Sequence, residues 1–171
     1  SGCACNGTVS SGGIAMADNW PLVNGIVRAL AHDAVNDIVY LGGSFTRIGP
    51  AVPYGVRVNT GDGAYDPAFP APNGQVEVAV ADGAGGWYIG GSFTRIGGVV
   101  RNRAARINAD GSLHPWNPNA NWSVNAIVVS GSTVYLGGAF WSVGGQPRSM
   151  LAAVDATTGV PTSWNPGATG S

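Results

Sequence analysis

The chain of 171 residues contains no lysine; its eight basic residues are all arginine, and Glu77 is the one glutamate among nine acidic residues. Charged residues amount to 10% and the formal net charge is -1. Such a chain has no basic field to hold it on phosphate backbones and no acidic tail, so nucleic acid is excluded as a partner class. It also lacks any apolar run near the ~20 residues that span a bilayer, so no transmembrane segment is expected. No stretch sustains an apolar period of 3.6, so no helix is expected. Against these absences stand 28 Gly and 11 Pro, a linker-like content. The 44% apolar fraction and six Trp argue for a packed core instead.

Cysteine is scarce too. Cys3 and Cys5 lie in a Gly/Ser-rich opening segment, residues 1–13, which reads as a flexible tail. A bridge between residues two apart is strained, so exposed thiols, one strained bridge and pairing with another chain all stay open. Ser-Gly-Cys matches the end of a bacterial lipobox, but no hydrophobic stretch precedes it. The opening residues lack the charged and apolar regions of a signal peptide; a secreted chain of this kind has lost its leader or is a piece of a longer one. Two thiols and two distant histidines, His32 and His114, match no zinc-ligand spacing.

What the sequence does contain is a repeat. Gly42-Gly43-Ser44-Phe45 recurs as Gly90-Gly91-Ser92-Phe93 and as Gly137-Gly138-Ala139-Phe140. Tyr40, Tyr88 and Tyr135 occupy one position upstream; Ile48-Gly49, Ile96-Gly97 and Val143-Gly144 follow downstream. Then come the runs GVRVN, AARIN and AAVDA, the turns NTGDG, NADG and DATTG, and the closing segments DPAFPAP, WNPNA and WNPGA. The unit is about 48 residues, close to the blade lengths of known β-propellers.

Each copy reads as four strands; in the first they are Val27–Ala31, Ile38–Gly42, Gly55–Asn59 and a short fourth over Ala64–Phe69. The runs are apolar on both faces, unlike the half-wet strands of a sandwich. Sheets covered on both sides by neighbouring sheets account for this, so the expected fold is all-β, made of propeller blades. A parallel β-helix with two rungs per repeat stays open. Gly42, Gly43 and their equivalents Gly90, Gly91, Gly137 and Gly138 are expected where inner strands crowd a central channel. Phe45, Phe93 and Phe140 are expected as wedges between blades. The units are residues 24–72, 73–120 and 121–171, with 14–23 a candidate outer strand of a preceding blade, because WPLVNG resembles FPAPNG. Propellers have about 4–8 blades, so three cannot close a ring. Other copies of the chain or missing blades are therefore the expected partners.

The pattern Tyr-[Leu/Ile]-Gly-Gly-[Ser/Ala]-Phe, [Ile/Val]-Gly-Gly, Arg and Trp-Asn-Pro resembles the bacterial delta-sixty type of β-propeller repeat over about residues 24–171. The first copy departs most, with Gly49-Pro50 and Asp66-Pro67-Ala68-Phe69 in place of Gly-Gly and Trp-Asn-Pro. The resemblance implies an extracellular or cell-surface bacterial propeller, with no reaction and no fixed set of functional residues.

Candidates for chemistry are few. The Asp residues lie mostly at turns, where Asp caps backbone amides, and no Gly-x-Ser-x-Gly motif is present. Neither a catalytic site nor a cofactor is expected; the three turns with clustered oxygens are the only candidates for calcium. Arg101 and Arg148 correspond, and are expected as donors that tie blades together or, more sharply, as carboxylate binders. Trp116 and Trp164 correspond to each other and to Phe69; repeated rings can pack at a blade edge or stack on sugars. The expected role is a non-enzymatic structural, adhesive or protein-interaction scaffold. A glycan-binding propeller and the non-catalytic propeller of a larger secreted hydrolase are the alternatives.

Overall fold

A computed structural model describes residues 23–34, 36–47 and 53–167. The tail with Cys3 and Cys5, nearly all of the 14–23 segment and Gly49-Pro50 lie outside the described residues.

Three three-stranded sheets follow one another along the chain, one per repeat. The first holds β1 (Ile26–Asp33), β2 (Ile38–Ser44) and β3 (Gly55–Asn59). The second holds β4 (Val76–Ala81), β5 (Trp87–Gly91) and β8 (Ala104–Ile107); the third holds β9 (Val124–Ser130), β10 (Thr133–Gly138) and β13 (Leu151–Asp155). Small hairpins interrupt the second and third units: β6 (Arg95–Ile96) with β7 (Val99–Val100), and β11 (Ser142–Val143) with β12 (Gln146–Pro147). Their turns are Gly97-Gly98 and Gly144-Gly145, with φ of 54°, 82°, 57° and 75°. Positive φ at both central residues is what a type I′ hairpin turn demands. Every strand pairing among the described residues is antiparallel, which removes the parallel β-helix.

The expected fourth strand is reduced to one bridge per unit: Val58 with Tyr65, Ile107 with Leu113, and Val154 with Pro161. Pro67, Pro70, Pro115, Pro118 and Pro166 explain why, since proline brings no N–H to a ladder. In the first unit Asp66 also turns the chain by accepting from the Ala68 amide at 2.9 Å.

Neighbouring sheets touch chiefly through their first strands, β1 with β4 and β4 with β9, and through β2 with β4 and β5 with β9. The sheets therefore converge at their first strands and splay outward. One buried cluster joins Ala29, Ala31, Tyr40 and Phe69 of the first sheet to Trp87, Ile89, Phe93 and Ile107 of the second. Another joins Tyr88 and Trp116 to Val134, Leu136, Phe140 and Val154 of the third. A third cluster gathers Val39, Leu41, Phe45, Val56 and Val58 within the first unit.

The glycine pairs are crowded, but not by a central channel, because they lie on the middle strand of each sheet. A Cβ on Gly42 would come 2.6 Å from Val76 Cγ1, and one on Gly90 2.8 Å from Val124 Cγ1, both on the following sheet. The second glycine faces its own first strand: Cβ atoms on Gly43, Gly91 and Gly138 would each lie 2.1 Å from the carbonyl oxygens of Ile26, Gln75 and Ser123. There the first strand bulges, and the extra residues are Arg28, Glu77 and Asn125.

Candidate functional site

The polar and aromatic side chains singled out from the sequence mostly hold the sheets together. Each copy pairs its tyrosine with the aromatic residue of its closing segment: Tyr40 with Phe69, Tyr88 with Trp116 and Tyr135 with Trp164, at centroid distances of 5.6, 5.0 and 5.3 Å. Between the second and third sheets this pair becomes a clasp. The Tyr88 hydroxyl donates to the Ala156 carbonyl at 2.8 Å, and Trp116 Nε1 to the Asp155 carbonyl at 2.9 Å. Arg106 lies over the Tyr88 ring at 5.2 Å and forms a 2.7 Å ion pair with Asp82. Burial alone would push the Asp82 carboxyl up; the Ala84 amide, Arg106 and the Gly86 amide together hold it below its ordinary value. Trp116 is 0% exposed, so its ring offers no face on which a sugar could stack.

Arg101 and Arg148 play matching parts, but within a unit and not between units. Arg101 donates to the His114 carbonyl at 3.1 Å and Arg148 to the Thr162 carbonyl at 2.7 Å, each two residues before the tryptophan of its own copy's closing segment. Their other bonds reach the Val100 carbonyl and the Pro147 carbonyl and Gln146, while the Nε of each is buried without a partner among the described residues.

On the far side of the third sheet the same positions are open. Tyr135 is 36%, Val128 58% and Trp164 42% exposed, whereas Tyr40, Tyr88, Ala31 and Trp116 are buried. Middle strands β2 and β5 are buried on both faces, while β10 is buried on one. A Cβ on Gly137 would meet only ordinary contacts, at 3.5 and 3.7 Å.

Residues 85–115, within the second copy, match the model of a β-propeller domain of unknown function, DUF5122. The sheets are β-propeller blades. No curated protein matches the chain.

Within the propeller, the loops leading into the first strand and out of the second meet at one end of every blade. An asparagine that sequence reading passed over binds them there. Asn24 Oδ1 accepts from the amides of Thr46 and Arg47, Asn73 Oδ1 from Thr94 and Arg95, and Asn121 Oδ1 from Trp141 and Ser142, at 2.8–3.1 Å. The signal was present in the WPLVNG and FPAPNG pair. Beside this clasp, Tyr54, Arg103 and Met150 take φ of 65°, 68° and 61° at one equivalent position. Each is pinned by two backbone bonds, its N–H to the carbonyl of Phe45, Phe93 or Phe140 and its carbonyl to the amide of Gly43, Gly91 or Gly138. In blade 3 the same end carries Trp122 and Trp141, stacked at 5.9 Å and 27° and exposed by 52% and 61%. Arg103 of blade 2 lies 5.6 Å from the Trp122 ring centroid.

At the opposite end the oxygen-rich turns bond to their own backbone. Asp155 Oδ1 accepts from the Thr157 and Thr158 amides, Asp110 Oδ1 from the Ser112 amide, and Asn59 Oδ1 from the Gly61 amide. Among the described residues no three His, Cys, Asp or Glu side chains gather as a metal site would require. A shallow groove of about 340 Å³ between blades 1 and 2 is lined by Asp66 and Asp110, with Arg57 3.9 Å from Asp66. His114 Nδ1 accepts from the Trp116 amide at 3.0 Å, and burial together with Arg106 and Arg101 holds its imidazole below the ordinary value.

Proposed function

We propose that the chain is a non-enzymatic scaffold: propeller blades that assemble, through the open face of blade 3, with a further blade of the same repeat. One observation carries this reading. Tyr135 and Trp164 are exposed where Tyr40, Tyr88, Phe69 and Trp116 are buried, and Val128 is exposed where Ala31 is buried and Val80 half-buried against the next blade. Soluble monomers avoid contiguous apolar faces of this kind. The face also keeps two donors, the Tyr135 hydroxyl and Trp164 Nε1, at the positions equivalent to those from which Tyr88 reaches the Ala156 carbonyl and Trp116 the Asp155 carbonyl. The resemblance to delta-sixty type repeats supports a place outside the bacterial cell or on its surface, in a structural or adhesive assembly.

Light scattering over a range of concentrations tests the reading. Self-association that Val128→Arg abolishes supports assembly through this face by a second copy. If the chain alone is monomeric, an added fourth repeat should become protected from proteolysis with blade 3. A chain that neither self-associates nor orders such a repeat overturns the proposal.

A further inference from the structure

We propose that Trp122 and Trp141 form a carbohydrate-binding platform, separate from the assembly face, for sugars whose hydroxyls are all equatorial. The fold does not ask for these rings. Blades 1 and 2 build the same asparagine clasp with Gly25 and Thr46, and with Gly74 and Thr94. There the asparagine Nδ2 also donates to the threonine hydroxyl, at 2.9 and 3.0 Å. Blade 3 replaces both partners at once, glycine by Trp122 and threonine by Trp141, and gives up that bond. The glycine position is tight: a Cβ on Gly25 would lie 2.7 Å from Phe45 Cα, and one on Gly74 3.0 Å from Phe93 Cα. Two coupled changes therefore put two indoles into water where the repeat folds without them. An exposed aromatic pair gained against local packing is the mark of recognition, not of stability.

The place and size of the pair decide what it recognises. It lies at the loop end of the blade, where Arg103 of blade 2 reaches over Trp122 and the Trp141 ring is the more exposed of the two, at 61%. Two half-exposed indoles offer on the order of 200–300 Å², well short of the roughly 800 Å² per partner of a stable protein interface. That area fits one or two pyranose rings. A sugar with equatorial hydroxyls presents a flat C–H face to a flat ring, and its hydroxyls radiate to the rim. The rim here is polar: Arg103 over Trp122, and Asn121, whose amide lacks the threonine partner of the other copies. A carboxamide and a guanidinium suit neutral hydroxyl and acetamido groups.

Isothermal titration with cellohexaose and with chitohexaose, each against the 171-residue chain, tests this. The double variant Trp122→Gly with Trp141→Thr restores residues with which this chain already builds two such ends, so it should fold with an unchanged thermal midpoint. Binding of at least one hexaose is expected, weakened about tenfold or more in the double variant and retained in Trp164→Ala. Binding of neither sugar, equal binding by the double variant, or loss only in Trp164→Ala overturns the proposal. The Trp164→Ala arm separates failure here from failure of the assembly reading.

Discussion

The glycine pairs give the most discriminating test of how the blades pack, because one substitution should have three different effects. Gly42, Gly90 and Gly137 are equivalent, and none has a φ in the left-handed range, so alanine is allowed by the backbone. On Gly90 the new methyl meets Val124 Cγ1 at 2.8 Å, Val78 Cγ1 at 2.9 Å and the Val124 carbonyl oxygen at 3.0 Å. On Gly42 it meets Val76 Cγ1 at 2.6 Å. Overpacking of this sort costs about 1–3 kcal/mol, which for a chain of this size lowers Tm by roughly 2–4 °C per kcal/mol. On Gly137 the nearest atom is Ala126 Cβ at 3.5 Å, so Gly137→Ala should be neutral or gain about 0.5–1 kcal/mol from reduced chain entropy. Gly138→Ala is the control: a Cβ 2.1 Å from the Ser123 carbonyl oxygen forces the bulge apart and should cost more than about 4 kcal/mol. Urea unfolding followed by circular dichroism at low protein concentration reads all four. Equal effects at Gly90 and Gly137 would refute the reasoning, since the following blade could then not be the cause. Repeated at high concentration, Gly137→Ala should turn destabilising if a second copy covers the face.

Tyr88→Phe should lose about 1 kcal/mol with its bond to the Ala156 carbonyl, whereas Tyr40→Phe should be neutral or stabilising, because the buried Tyr40 hydroxyl has no protein partner; paired urea midpoints check this. Arg106→Met should cost about 3 kcal/mol by leaving the buried Asp82 carboxylate without its ion pair, and Asp82→Asn in the same background should recover part of the loss. Burial, with Arg106 and Arg101, lowers the His114 pKa in the fold, so its contribution is whole above about pH 6.5 and lost as the pH falls through its lower folded value. Unfolding midpoints at pH 7.5 and 5.0 should therefore converge in His114→Asn relative to the parent.

Self-similarity made most of the architecture legible in the sequence. Three copies of Tyr-x-Gly-Gly-x-Phe fixed the register, and runs apolar on both faces pointed to stacked sheets. The reason is local: strand alternation, proline and turn glycine act within a few residues. What sequence left undecided depended on contacts between copies. Arg101 and Arg148 were expected as donors between blades, and only the fold shows that their acceptors lie within the same blade. Trp116 and Trp164 match in sequence, yet one is sealed by blade 3 and the other is open. Tyr54, Arg103 and Met150 share a left-handed backbone with no residue type in common, because paired hydrogen bonds impose it. Trp122 and Trp141, 19 residues apart and unrepeated, meet only when two loops are drawn together by Asn121. Sequence by itself determined the blade, because a blade is built from short-range periodicity and turns. Tertiary structure alone decided which equivalent side chains are buried and which are exposed, because that depends on what packs against each sheet.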